Sequence, residues 1–153
     1  MVDQSARRVA LLAIHPKHAD AILDGRKSVE LRRIGISPTT THIIVYATAP
    51  VRAIVGWFEV AGIEHATPDQ IWETHNGSSG LSRSEFQAYF DGADSAVAIR
   101  IGPHWRLDAP VELSRLPSVK RPPQSFRYLN EDEVNWLFGD ADSRYRQGLL
   151  SLN

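Results

Sequence analysis

The order of predicted elements indicates an α+β fold, a small and partly closed β-barrel with flanking helices. Short apolar runs typical of strands occur along most of the chain, and helices are inserted between them at irregular intervals. Strands and helices do not alternate for long enough to build a doubly wound sheet, and no internal repeat is present. A chain of 153 residues has the length of one domain.

The first part of the chain is predicted to form a strand, a helix and a second strand. The apolar run over 10–14 predicts the first strand, and Pro16 is well placed as the first residue of the helix. Gly25 ends this helix, where a left-handed residue is expected. Residues 28–33 predict the second strand, because Val29 and Leu31 alternate with polar side chains on the other face.

Two further strands are predicted over 42–48 and 53–60. The first is apolar on both faces, which indicates a strand covered on two sides. Gly56 in the second indicates a bulge or a close approach of another backbone. Capping boxes at Thr67–Gln70 and Ser82–Glu85 then predict two helices.

The last part predicts a strand over 95–101, with a continuation to Leu107 left open, and a short strand over 111–113. A proline-rich segment follows. Asn130 is expected to cap a final helix that Gly139 closes, and residues 140–153 are expected to be a helical or frayed tail.

The composition excludes several classes of protein. Cysteine is absent, which excludes disulfides, thiolate zinc sites and cysteine nucleophiles. No apolar run reaches the length of a membrane span and no signal core is present, so we expect a cytoplasmic protein without membrane contact. Nucleotide-binding glycine loops and a serine-hydrolase elbow are missing, and His15 with His18 is a weak metal pattern, so no cofactor and no metal are predicted.

Charge is unevenly distributed along the chain. Residues 1–60 carry a net charge of +3 and residues 100–127 a net charge of +4, whereas residues 61–99 carry −5 and residues 128–153 carry −3, which sum to the overall −1. Arginine outnumbers lysine, and its planar guanidinium suits bidentate contacts with phosphate. The pattern is compatible with a basic face that attracts nucleic acid, or with an ordinary solvated surface.

The densest group of chemically active residues lies over 25–33. Lys27, Glu30, Arg32 and Arg33 lie in a turn and the strand after it, and Glu30 and Arg32 share one face of the strand. Lys27 and Arg32 are suited to hold an anion, while Glu30 is suited to accept a hydrogen bond from a base. A charged edge strand would show the same pattern, so both interpretations remain open.

Residues 10–33, together with the segments 45–50, 54–60 and 122–129, resemble ASCH-domain proteins of the PUA-like superfamily. The similarity includes the pattern Gly25-x-Lys27-x-x-Glu30-x-Arg32, and it is strongest to the branch labelled predicted transcriptional regulator. It implies a small PUA-like mixed β-barrel with flanking helices over 9–130, followed by a C-terminal helical extension over 131–153. It also implies a cleft that binds RNA or a modified nucleobase or nucleotide.

The activities known in the family leave two functions open for this chain. Some members are amidohydrolases that act on acylated cytidine with a lysine, a threonine and a glutamate, and others are ribonucleases. The lysine matches Lys27, but Glu30 occupies the threonine position. We therefore expect binding of RNA or of a modified nucleobase, and the alternative is a hydrolase in which Lys27 and Glu30 form the acid–base pair.

The candidate binding residues divide into cations, an acceptor, a stacking ring and a later loop. Phosphate or a ligand carbonyl is expected to meet Lys17, Lys27, Arg32 and Arg33. Glu30 is expected to accept from a base or to orient Lys27, and Tyr46 to stack on a base. Ser125 and Arg127 are expected to close the cleft. The oligomeric state cannot be inferred from these patterns.

Overall fold

The computed structural model describes residues 7–33 and 35–139. Six strands are present in this part of the chain: β1 (Val9–Ile14), β2 (Val29–Arg32), β3 (His42–Ala47), β4 (Ala53–Ala66), β5 (Ala96–Val111) and β6 (Phe126–Tyr128). The helices are α1 (Pro16–Leu23), α2 (Pro68–His75), α3 (Arg83–Tyr89) and α4 (131–139), with a short 3-10 turn at Leu113–Arg115. Within these described ranges, no helix is long and apolar enough to cross a bilayer.

The strands form one mixed sheet in the order β2-β5-β4-β3-β1-β6. β1 and β3 are parallel, and the other neighbouring pairs are antiparallel. The sheet curls into a partly closed barrel, so the predicted α+β class with a small mixed barrel and flanking helices is confirmed. β2 and β6 are the two edges of the sheet.

Apolar side chains cover the sheet on both faces, as the pattern over 42–48 predicts. Ile44 of β3 belongs to a core cluster on one face, which α4 completes with Val134, Leu137 and Phe138. Ile43 and Val45 of the same strand belong to a second cluster with α1. A third cluster joins β2 to α2 and α3. Each helix therefore covers its own part of the sheet.

The predicted helix signals are present in the structure. Thr67 and Ser82 both form complete capping boxes, in which the side chain of the third helical residue bonds back to the cap. Asn130 accepts from the backbone of Glu133 at 2.9 Å and so caps α4 as predicted. Gly25 has a φ of +80°, the left-handed conformation that ends α1.

Two predictions about the strands need correction, and the continuation past Gly102 that the sequence leaves open is present. β5 is one continuous strand that passes through Gly102 and Pro103, because the pairing with β4 shifts register there and an unpaired proline is tolerated at such a bulge. The short strand expected at 111–113 is the end of β5 followed by the 3-10 turn. β4 extends to Ala66, and β6 had no signal in the sequence.

Gly56 fulfils both roles that its position in a strand suggests. The register between β4 and β5 shifts beside it. A Cβ at this position would lie 2.5 Å from the backbone oxygen of Trp105 and 2.7 Å from the side chain of Leu23. The close approach lets α1 pack on the sheet.

The helix α4 is described up to Gly139, where the sequence predicts its end. The predicted tail over 140–153 lies outside the described residues.

Candidate functional site

Two oppositely charged side chains are buried next to the open edge of the barrel. Lys27 is 3% exposed and Glu30 is 5% exposed. The Nζ atom of Lys27 lies 2.9 Å from Oε1 of Glu30. Because Lys27 lies in the turn before β2 and Glu30 on β2, the short spacing in sequence places both groups together. A buried charge pair is costly to assemble, and such pairs often occur at functional sites.

Arg32 extends this pair across the gap between the sheet edges. Its Nη1 atom lies 3.4 Å from Oε2 of Glu30 and 3.4 Å from the backbone oxygen of Ala13 on β1. Its Nη2 atom donates to the backbone oxygen of Ser125 at 2.8 Å and lies 3.2 Å from the Ser125 hydroxyl. The β2 edge and the residue before β6 are thus joined by a side chain rather than by strand pairing.

His18 of α1 completes the group of polar side chains around Lys27. Its Nδ1 atom lies 3.3 Å from Nζ of Lys27. An ammonium group can only donate, so Nδ1 must accept, and the proton of neutral His18 is then on Nε2. Burial lowers the pKa of His18, and the nearby ammonium of Lys27 lowers it further. Both effects favour the neutral ring.

These side chains line a cavity of about 140 Å³. Its polar wall is formed by His18, Lys27, Glu30 and Arg32, and its other wall by Leu31, Leu81 and Tyr89. Tyr89 is 38% exposed, and burial of the rest of its ring raises the pKa of its hydroxyl. The cavity therefore combines charged groups with an apolar wall that carries one accessible aromatic ring.

A second, more open groove begins on the other side of Arg32. It is lined by residues 121–127 and has a volume of about 540 Å³. Arg121 and Arg127 are exposed there, and Ser125, which holds Arg32, also lines it. We call these two features the cavity and the groove. Arg32 contacts both.

Four of the predicted site residues meet in the structure: Lys27, Glu30, Arg32 and Ser125. The other cations lie at the periphery. Lys17 is exposed on α1 beside His18, Arg33 is exposed and donates to the backbone oxygen of Tyr89 at 3.3 Å, and Arg127 is exposed in the groove. Lys17 and Arg33 do not line the cavity.

The expectation for Tyr46 is not supported by its surroundings. Its side chain is 4% exposed and belongs to the core cluster that includes Ile44 and Trp57. A stacking ring needs an accessible face, so Tyr46 in this position cannot supply one. The accessible ring beside the buried charges is that of Tyr89.

His18, Leu81 and Tyr89 are cavity residues that sequence reasoning missed. The helical spacing of Phe86, Tyr89 and Phe90 indicates a core face, and Phe86 and Phe90 are indeed buried, while Tyr89 lies at the end of α3 with its ring partly free. His18 lies two residues after the start of α1, and nothing near it in the sequence indicates that its ring contacts Lys27. In the described part of the chain, no cluster of three or more His, Asp or Glu side chains could hold a metal ion.

Comparison with known proteins gives consistent matches. The family model for the ASCH domain matches residues 12–104. A Zymomonas mobilis protein named ASCH domain-containing ribonuclease is 30% identical over 141 residues, which cover 90% of this chain and 95% of that protein. The Ureaplasma parvum protein named large ribosomal subunit protein uL22 is 26% identical over 128 residues, which cover 83% of this chain and 41% of that protein.

Solved structures agree with the sequence matches. The crystal structure of ASCH from Zymomonas mobilis has a TM-score of 0.78 at 29% identity and covers 86% of this chain and 94% of its own. The crystal structure of a serine-to-alanine mutant of that protein has a TM-score of 0.79 at 28% identity and covers 88% and 96%. The matched region contains the whole barrel segment that carries Lys27, Glu30 and Arg32, and the chain belongs to the ASCH domain family.

Proposed function

We propose that this protein binds single-stranded RNA, with the strand lying in the groove and one nucleotide entering the cavity. The observation that carries the proposal is the buried group of Lys27, Glu30 and Arg32, which lines the cavity and reaches the groove through the contact of Arg32 with Ser125. The names of two relatives, a ribonuclease and a ribosomal protein, support RNA as the partner.

The groove has the properties that a nucleic-acid backbone needs. Arg121 and Arg127 are exposed, and the segment over 100–127 carries a net charge of +4. Guanidinium groups on an open surface bind phosphate with little dependence on base sequence. The cavity, in contrast, is too small for more than one base or one phosphate. Backbone and base are thus expected to bind at different places.

Binding is favoured over hydrolysis by the state of the charged groups in the cavity. A general base needs a free lone pair within reach of the proton that it removes. Nζ of Lys27 contacts two acceptors, Glu30 and His18, which is the arrangement of an ammonium ion. Each oxygen of Glu30 accepts from one cation, which leaves it one further lone pair for a donor on a ligand. The groups around the cavity are therefore set up to form hydrogen bonds with a ligand.

The binding proposal can be tested by fluorescence anisotropy with a labelled single-stranded RNA at several salt concentrations. The double variant Arg121→Ala/Arg127→Ala should weaken binding and flatten the slope of log affinity against log salt by up to about 1.4, because each phosphate contact on a single strand contributes roughly 0.7. Arg83→Gln is the matched control. The guanidinium group of Arg83 on α3 lies over the ring of Trp72 on α2, and Arg83 is not among the groove residues. Absence of RNA binding at low salt would refute the proposal.

The second candidate is a ribonuclease, which the name of the Zymomonas mobilis relative favours. Lys27 and Glu30 would then be the acid–base pair. Glu30 takes the proton of the ribose 2′-hydroxyl as that oxygen bonds to phosphorus, and Lys27 protonates the 5′-oxygen as its bond to phosphorus breaks. End-labelled RNA incubated with the protein distinguishes the two functions. Cleavage that disappears in Lys27→Met while RNA binding persists would replace the binding proposal with this one. Intact RNA in the presence of tight binding supports a binding protein.

A further inference from the structure

The hydrogen-bonding groups that remain unused in the cavity are mostly donors. Lys27 has three N–H groups, of which two are directed to Glu30 and His18. Arg32 has five, and its two Nη atoms account for four through Ala13, Glu30 and Ser125, which leaves the Nε–H. Each of the two side chains therefore keeps one donor for a ligand.

His18 adds a third donor. Its Nδ1 atom is occupied by Lys27, so the neutral ring carries its proton on Nε2. Among the residues that the structure describes, Nε2 of His18 contacts no hydrogen-bond partner. Its lowered pKa agrees with a neutral ring that keeps this tautomer near neutral pH. His18 thus has a single N–H group, on a ring that lines the cavity.

Glu30 is the one carboxylate among the described residues that line the cavity. Each of its oxygens accepts from one cation, Lys27 or Arg32, and a carboxylate oxygen can accept a second hydrogen bond. Glu30 is located between the two cations, so an acceptor is flanked by donors on both sides. A ligand that matches this order has an acceptor, a donor and an acceptor along one edge.

We propose that the cavity selects uracil from single-stranded RNA, and this inference rests on the proposed function. Uracil has two carbonyl oxygens on either side of the N3–H group, the acceptor–donor–acceptor order that Lys27, Glu30 and Arg32 complement. The N–H group of His18, which contacts Lys27, is a second donor for the carbonyl oxygen on the Lys27 side.

Cytosine has an amine in place of one carbonyl, and it lacks the central N–H. Guanine has two adjacent donors, and adenine has a single donor beside an acceptor, so neither purine has a donor flanked by two acceptors. The apolar wall of Leu31, Leu81 and Tyr89 is expected to adjoin the ring, with Tyr89 offering its accessible face.

The alternative occupant is a phosphate group, which also accepts from Lys27, His18 and Arg32. The net charge of these groups together with Glu30 is +1 when His18 is neutral, which is compatible with either occupant. The apolar wall favours a base, because a phosphate gains nothing from Leu31 and Leu81, and the exposed arginines of the groove already suit the backbone. A phosphate in the cavity would bind equally well whichever base the RNA carries at that position.

The test uses the intact protein and a set of labelled nonamer RNAs that differ at the central position only. The flanks are cytidines, and the centre is uridine, cytidine, adenosine, N3-methyluridine or an abasic spacer. Uridine should bind about fivefold to a hundredfold more tightly than cytidine, since a good bidentate contact contributes about 1–3 kcal/mol of discrimination. N3-methyluridine should show no preference over cytidine, because the methyl group replaces the N3–H that donates a hydrogen bond to Glu30.

Two variants test whether the N–H group of His18 recognises uracil or whether His18 only supports the structure around Lys27. His18→Asn keeps an oxygen near the position of Nδ1 for Lys27 but has no N–H at the position of Nε2, whereas His18→Gln offers an amide N–H near that position. The preference for uridine over cytidine should fall in His18→Asn and be retained in part in His18→Gln.

The outcomes distinguish the inference from the function on which it rests. Equal affinity for all five RNAs, including the abasic one, would overturn uracil selection and indicate that a phosphate or no group enters the cavity, while RNA binding itself would stand. Tighter binding of cytidine or adenosine would also overturn it. If none of the RNAs binds, the proposed function fails and the inference fails with it.

Discussion

The Nη2 atom of Arg32 lies 2.8 Å from the backbone oxygen and 3.2 Å from the hydroxyl oxygen of Ser125, although the two residues are 93 positions apart. Arg32 ends β2 and Ser125 precedes β6, and these strands are the two edges of the sheet. A guanidinium group suits this position because it donates in several fixed directions at once. The contact therefore joins the barrel edges and connects the cavity with the groove.

Arg32→Lys should destabilise the protein although the charge is retained. A lysine ammonium cannot reach the carbonyl oxygens of Ala13 and Ser125 and the carboxylate of Glu30 together. The expected loss is about 1–3 kcal/mol in the free energy of unfolding, measured with urea. Arg33→Lys is the matched control, since exposed Arg33 donates only to the backbone of Tyr89 in the described structure, and its effect should remain within about 0.5 kcal/mol. Equal effects of the two changes would contradict the role of Arg32.

Glu30→Leu should be among the most destabilising single changes at this site. It leaves the ammonium of Lys27 buried without its carboxylate, and breaking a buried pair in this way costs about 3–5 kcal/mol. The double variant Lys27→Met/Glu30→Leu should recover a large part of this loss, because no unpaired lysine remains. Urea unfolding of the two single variants and the double variant gives the coupling energy.

An exposed pair provides the comparison for this coupling. Arg106 contacts Asp20 at 3.3 Å, and both side chains are largely accessible. Asp20→Asn should cost less than about 1 kcal/mol. If Glu30→Leu cost no more than Asp20→Asn, the buried pair would contribute nothing to stability and its part in the proposed site would rest on ligand binding alone.

His18 should titrate below its ordinary pKa in the folded protein. Burial is the main cause and the ammonium of Lys27 the second, while Glu30 opposes them; Lys17 and His15 lower the pKa further, and Glu85 also lies within electrostatic range. Proton NMR of the ring should show this shift, and Lys27→Met should raise the pKa towards its ordinary value. A His18 pKa that Lys27→Met leaves unchanged would contradict the contact at Nδ1.

The depressed pKa of His18 also has a consequence for stability. Since the unfolded chain binds the proton more readily, protonation favours unfolding as the pH falls below the unfolded value of about 6.5. The contribution of neutral His18 is therefore complete above that value and is lost as the pH falls towards the folded pKa. His18→Asn should show a flatter dependence of unfolding free energy on pH in this window.

Local signals predict the elements of this fold well, and long-range contacts explain what they miss. The capping residues Thr67, Ser82 and Asn130 each satisfy nearby backbone groups, so the helices can be identified from a few neighbouring residues. β6 is three residues long, and its described partner in the sheet is β1, which lies far earlier in the chain. No pattern within 126–128 could indicate that pairing.

In the candidate site too, the local sequence predicts some features, and others depend on contacts between distant parts of the chain. Lys27, Glu30 and Arg32 are close in sequence, and the strand period places Glu30 and Arg32 on one face, so their meeting can be predicted. Their burial cannot, because it depends on α1 and α3 covering the β2 edge. The same holds for Tyr46 and Tyr89: both are tyrosines near apolar residues, and only the packing of β3 and α3 determines which ring remains accessible.

Glu133→Gln should destabilise the protein by weakening the hydrogen bonds between α4 and Ser118, which follows the 3-10 turn. Glu133 is 3% exposed, and its carboxylate accepts from the backbone and hydroxyl of Ser118 at 3.0 and 2.7 Å and from the backbone of Asn130 at 3.1 Å. An amide places its own N–H groups against one of these donors, so the expected loss is about 2–3 kcal/mol. Glu131→Gln, an exposed change on the same helix, is the control.

The loss in Glu133→Gln should depend on pH with a definite sign. Burial acts to raise the pKa of Glu133, but the hydrogen bonds from Ser118 and Asn130 outweigh it and hold the pKa below its ordinary value. The carboxylate therefore contributes its full stability above the unfolded value of about 4.3, and this contribution is lost as the pH falls through the lower folded value. Urea unfolding at pH 7 and near pH 3 should show a large difference between wild type and Glu133→Gln at the first pH and a smaller one at the second. A difference that stays constant between the two would mean that Glu133 stabilises α4 through packing rather than through its charge.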